Sequence, residues 1–247
     1  MDANGDPSVA QRQGIDAIGV LAEPNRRALY EFVAHQPGWV SREQAADAVG
    51  LQRGIAAHHL DRLAEEGLLE IDYQRLTGRS GPGAGRPAKV YRRAPGEIGV
   101  TLPPRDYELA GRLLAEAAEQ SRRDGVPIDT AIEHVARDQG RAMGAEARQR
   151  LGSRAGTAAR RKHLFEALRD QGFEPEILDD DVTVLRNCPF HQLAQRHTEL
   201  ICGMNLCVLE NLLDELDGTG LRAVLEPEDG YCCVRLRPDE GVTEVGT

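Results

Sequence analysis

Five cysteines, Cys188, Cys202, Cys207, Cys232 and Cys233, all fall in the last quarter of this 247-residue chain, and residues 1–187 contain none. Asn187-Cys188-Pro189-Phe190-His191 comes first, Cys202 follows after thirteen residues, and Cys232-Cys233 lies near the end. Soft donors therefore come from three separate stretches. Thiolates gathered by folding rather than by one short loop are what a structural metal or an iron–sulfur centre needs. The bland alternative is that the thiols pack as small hydrophobes.

Each position carries its own expectation. Pro189 is a favoured first helical residue, which puts the Cys188 thiol near a helix N-terminus, where exposed N–H groups favour the thiolate. Cys207 follows Cys202 by five residues, about 500° around a helix, so the two point about 140° apart and Cys207 reads as core. Adjacent residues of a strand face opposite sides. Cys232 shares its face with Val234 and Leu236, so Cys232 is favoured as a ligand over Cys233. His191, three residues after Cys188, is a candidate imidazole ligand beside His197 or a carboxylate. His58 and His59 belong to a different element and are not counted as ligands.

The elements that position these groups begin with four helical patterns. An apolar stripe runs over Gln11–Leu21, and Glu23-Pro24-Asn25 opens a second helix through Leu29 and Val33. Ser41 with Gln44 forms a capping box for a short helix that Gly50 ends. Leu51 restarts the pattern through Ile55, Leu60 and Leu63, and Gly67 terminates it. A short helix, a Gly-containing turn and a longer helix make a helix-turn-helix signature. Two alternating stretches follow, 68–73 and 88–93, joined by a Gly- and Arg-rich segment, which reads as a β-hairpin with a long tip. From Gln74 to Arg93 there are six basic residues and no acidic one, within a chain of net charge −10. Such a strip is the electrostatic footprint of a phosphate-backbone contact.

Residues 94–104 read as a linker. Helices over 105–123 and 127–149 carry apolar faces that predict pairing across a dimer, and a third helix runs over 157–171. Strands are predicted at 173–178, 182–185, 221–225 and 231–236, with helices over 189–197 and 200–216 between the two pairs. The fold class is thus α+β, divided into a tail (1–10), a winged helix-turn-helix domain (11–95), a linker with dimerisation helices (96–151) and a mixed α/β cysteine-bearing sensor domain (152–247).

Composition narrows the function. Apolar residues make up 40% and charged residues 28%, as in a soluble globular protein. No apolar run approaches the roughly 18 residues that span a bilayer, and the polar start, Met1-Asp2-Ala3-Asn4-Gly5, is no signal peptide. A cytoplasmic location is expected, where cysteines serve metal or redox chemistry more than structural disulfides. No phosphate loop, nucleotide fingerprint or Ser/His/Asp constellation argues for an enzyme.

The Gly-rich, Arg-bearing hairpin behind a helix-turn-helix resembles the ArsR-like regulators. Asn187-Cys188-Pro189, Ile201-Cys202 and a terminal cysteine further resemble the SufR-type iron–sulfur repressors, over roughly residues 15–237. That resemblance implies a homodimeric repressor that binds a double-stranded DNA operator and carries a cluster, most simply [4Fe–4S], on three cysteines. They map onto Cys188, Cys202 and either Cys232 or Cys233. The tandem pair, the 29 residues between Cys202 and Cys232, His191 and Met204-Asn205 depart from the family pattern. Gln52, Arg53, His58 and Arg62 are expected to face the major groove, with Arg79, Arg86 and Lys89 on phosphates or the minor groove. A zinc site is the alternative to the cluster.

Overall fold

The computed structural model describes residues 9–75, 87–152, 154–178 and 181–239. It is a mixed α+β structure in two compact units, one over Val9–Val100 and one built on Thr101–Thr247. Each has its own apolar core.

In the first unit, α1 (Val9–Val20), α2 (Pro24–Ala34), β1 (Val40–Ser41), α3 (Arg42–Val49), α4 (Arg53–Glu65), β2 (Leu69–Gln74) and β3 (Ala88–Arg93) follow in order. Local chemistry sets the boundaries. The Glu23 carboxylate accepts the Asn25 and Arg26 N–H groups, with Pro24 in the first turn of α2. Ser41 and Gln44 exchange side-chain and backbone hydrogen bonds at the start of α3, and Gly50 ends it in the left-handed region at φ 72°. The β2–β3 pair runs from Leu69 opposite Arg93 to Gln74 opposite Ala88, and β1 adds a short third strand against β3. Leu29, Val33, Leu60, Leu63 and Tyr91 fill the core.

The second unit holds α5 (Tyr107–Asp124), α6 (Ile128–Gln149), α7 (Thr157–Asp170), β4 (Pro175–Ile177), β5 (Thr183–Leu185), α8 (His191–Arg196), α9 (Thr198–Leu216), β6 (Leu221–Leu225) and β7 (Val234–Pro238). Its antiparallel sheet has the order β4-β5-β7-β6. Helix α9 is the central element, with Ile201, Cys202, Met204, Asn205, Val208, Leu209, Leu212, Leu213 and Leu216 buried. A Cβ on Gly140 of α6 would lie 2.2 Å from the Val208 carbonyl oxygen, and one on Gly144 would lie 2.7 Å from that of Leu212. Only glycine lets α6 approach α9 so closely.

The apolar faces of α5 and α6, expected to pair between two copies, instead close within one chain: α5 packs on α6, and α6 packs on α9. The helices assigned to dimerisation thus share one core with the cysteine-bearing elements. Among the described residues no helix is long and apolar enough to cross a membrane.

Candidate functional site

Cys188 lies in the loop between β5 and α8, Cys202 on the first turns of α9, and Cys232 and Cys233 in the segment just before β7. Folding brings these four together. The Cys188 and Cys232 thiols are hydrogen-bonded, the Cys202 thiol is hydrogen-bonded to that of Cys233, and Cys202 and Cys232 are buried. Cys207, five residues along α9, turns away and places its Sγ 3.5 Å from the Glu133 carbonyl of α6.

Three expectations about this region change. The strand that was to carry Cys232 and Cys233 begins only at Val234, while the expected alternation holds in burial: Cys232, Val234 and Leu236 are buried and Cys233 is half-buried. Hydrogen bonds explain the late start. Thr183 faces Leu236, a register that would set Leu185 opposite Val234, yet the Leu185 carbonyl takes the N–H of Cys232 at 2.8 Å. On the other side the Cys233 carbonyl accepts the Glu226 N–H at 2.7 Å. The Cys232 bond is thus out of the β5–β7 register in the manner of a bulge, while the Cys233 bond keeps the β6–β7 register. Second, α8 starts at His191 rather than Pro189, so the Cys188 thiol is served by a loop N–H, that of Phe190. Third, His191 and His197 are exposed, and the backbone N–H of His191 donates to the Cys188 carbonyl.

The thiols differ in acidity. Cys188 is held below its ordinary range, chiefly by the Cys232 thiol, with burial opposing and the Phe190 N–H and the Arg105 guanidinium assisting. Cys232 is pushed well above its range, by Cys188 first and then by burial. Burial, with Cys233 and Cys188 as lesser causes, pushes Cys202 up to about 12. Ligation of a cation removes the protons of its thiol ligands.

Two asparagines that the sequence reading did not single out as side chains brace the site. Asn187 is buried, and its Nδ2 donates to the carbonyls of Pro104 at 2.8 Å and Gly172 at 2.6 Å, while its Oδ1 accepts from Arg105. The Asp106 N–H donates to the Pro189 carbonyl at 3.1 Å. Asn205 is 2% exposed, its Nδ2 lies 3.5 Å from the Cys232 Sγ, and its Oδ1 is buried with no partner. Cys202 and Asn205 are three residues apart, on one face of α9. A lone Asn within the apolar stripe of α9 was the signal available for Asn205.

Thiols from three segments are the donor type that an iron–sulfur centre uses. Among the described residues no three His, Cys, Asp or Glu side chains converge as one metal ion requires. In a [4Fe–4S] centre each thiolate binds a different iron, so the sulfurs surround a cube instead of meeting at a point.

The other candidate surface lies on α4. Gln52, Arg53, Ile55, His58 and Arg62 are exposed, over the buried Ala56, Leu60 and Leu63. Arg53 is ion-paired with Glu43, and Arg62 with Glu65 and Glu66. Lys89 does not extend this surface. Its ammonium lies 2.5 Å from the Asp61 carboxylate, which also accepts from the Tyr91 hydroxyl at 2.6 Å. Lys89 and Tyr91 share one face of β3, and that face lies on α4. Arg92 pairs with Glu70 and lies over the Trp39 ring at 4.6 Å, whereas Arg75 and Arg93 are exposed. Arg79 and Arg86 lie outside the described residues.

Comparison with protein-family models, with curated proteins and with solved structures returns no match.

Proposed function

We propose that the chain is a homodimeric, DNA-binding transcriptional regulator, a repressor, whose second unit senses iron–sulfur or redox status through a thiolate-bound [4Fe–4S] cluster. The observation that carries this reading is the gathering of thiols from three segments around Asn205, in a chain that also presents an exposed polar face on α4 beside a hairpin with basic flanks. The order α2, α3, α4 and then β2–β3 supports a winged helix-turn-helix, with α4 as recognition helix. Gln52, Arg53, His58 and Arg62 face base edges, while Arg79 and Arg86 contact phosphates or the minor groove.

A bound cluster supplies an oxygen-labile cross-link between segments distant in sequence. The chain's own residues convert that link into position. Cys202 ties α9 to the segment before β7, and Cys188 ties in the loop whose neighbour Asn187 holds Pro104. Residues 104–106, bonded to this loop through Asn187 and Pro189, stand at the start of the unit, directly after the stretch that leads from β3. Release of Cys188 frees the loop and the connection together, a two-state element of the kind a ligand biases.

Zinc is distinguished by colour, because d¹⁰ zinc does not absorb in the visible. The test is titration of operator DNA with anaerobic holoprotein and with chelator-treated protein, each at two salt concentrations. Equal affinities for the two forms contradict a sensing role.

A further inference from the structure

We propose that Glu43, Glu65 and Glu66 set the specificity of the DNA contact: each keeps an arginine of the α4 face in an ion pair within the chain, so that a duplex offering only phosphates gains little from it. This deepens the DNA-binding reading above and rests on it. The residues concerned all lie in the first unit, apart from the thiol site.

Arg53 opens α4 and pairs across the turn with Glu43, in the first turn of α3. Arg62 is held twice, its Nη1 3.2 Å from a Glu65 oxygen and its Nη2 on Glu66. Lys89 engages Asp61 and Arg92 engages Glu70, at 2.5 Å each. These four cations meet five carboxylates, so together the side chains carry no net positive charge. The two arginines of α4 keep 66% and 46% of their side chains in water, which leaves them able to exchange partners.

Non-specific affinity comes from cations that displace counterions from the phosphates. An arginine with a carboxylate at its side displaces few, and one that leaves it strands a negative charge beside the DNA. That cost is the same for every sequence. A phosphate does not offset it, since one anion only replaces another. A guanine does, because a bidentate arginine contact discriminates bases by about 5- to 150-fold, whereas an exposed ion pair stabilises by at most about fivefold. The carboxylates therefore lower binding to all sequences and leave the correct one ahead.

The experiment measures the full chain on two duplexes, one of random sequence and one selected from a random pool by the wild-type chain. Glu43→Gln keeps the size of the side chain and removes its charge, which frees Arg53. It should bind the random duplex about fivefold tighter, with a salt slope steeper by about 1. The gain on the selected duplex should be smaller, so that the ratio of the two affinities falls. Glu65→Gln/Glu66→Gln, which frees Arg62, should do the same, and it decides the matter where Glu43→Gln does not fold. Glu31→Gln, at an exposed acid of α2 outside these pairs, makes the same change in net charge as Glu43→Gln and should leave the slope as it is. Unaltered affinity and slope on the random duplex in the paired-acid variants overturn the proposal. So does an equal gain on both duplexes, an equal steepening in Glu31→Gln, or equal wild-type affinity for the two duplexes. A wild type that binds neither duplex removes the DNA-binding reading itself, which is a separate failure.

Discussion

The Nδ2 of Asn187 donates to the carbonyl of Pro104 at 2.8 Å, joining the residue before Cys188 to the start of its unit. Asn187→Ala leaves the partly buried carbonyls of Pro104 and Gly172 and the Arg105 guanidinium without this partner. A loss of about 2–4 kcal/mol is expected in urea unfolding of this unit. Any variant protein that still holds iron should bind DNA with an affinity less responsive to chelation than wild type. An unchanged response means that the 187–104 link does not transmit the state of the site.

Gly144→Ala tests the α6–α9 contact. The new methyl meets the Leu212 carbonyl at 2.7 Å, and overpacking of this kind costs about 1–3 kcal/mol. Iron content should fall in parallel, because α9 carries Cys202. Gly111→Ala on α5 meets nothing within 4 Å and should stabilise by about 0.5–1 kcal/mol through helix propensity. Equal thermal midpoints for the two variants would show that α6 and α9 do not need the glycine.

Asp61 links pH to the first unit. Burial raises its carboxyl pKa, but hydrogen bonds from Lys89 and Tyr91 outweigh this and leave it below the ordinary value. A carboxyl depressed in the folded state stabilises above its unfolded pKa, and that contribution disappears as pH falls through the folded value. The Asp61 contribution is therefore complete at neutral pH and lost below about pH 4. The group is partly exposed, so screening holds the expected loss in Asp61→Asn to about 1 kcal/mol at pH 7. The difference between wild type and variant should vanish in strong acid; one that persists there points to a cause other than the charge.

These particulars show where the sequence was legible and where it was not. Helix ends were, because Ser41 with Gln44, Gly50 and Glu23-Pro24 act through bonds within a few residues. The β2–β3 pairing and β6 followed from alternation. Alternation started the last strand at Tyr231 rather than Val234, since Tyr231, Cys232 and Cys233 continue the apolar–polar pattern of β7 while the Cys232 N–H goes to Leu185, out of the β5–β7 register. Such long-range bonds leave no local mark. The same holds for the α5 and α6 faces, whose apolar stripes specify that a partner exists but not that α5 packs on α6 and α6 on α9. Lys89 looked like part of a basic strip because Asp61 is 28 residues away.

Neutralising Arg79 and Arg86 together should weaken binding to specific and random DNA about equally and lower the salt slope by about 2. An unchanged slope would mean that the hairpin tip does not touch phosphates. Arg53→Ala should instead erode discrimination between operator and random sequence, by about 1–3 kcal/mol where the guanidinium reads a guanine.

The most direct measurement is the visible spectrum of the anaerobically purified wild-type chain, with iron and acid-labile sulfide assayed on the same sample. The expected result is a coloured protein with about four irons and four sulfides per chain, bleached by air and absent in Cys188→Ala and Cys202→Ala, with Cys207→Ala coloured like wild type. A colourless wild type carrying one zinc per chain, or full colour in Cys188→Ala, would contradict the thiolate-bound iron–sulfur sensor.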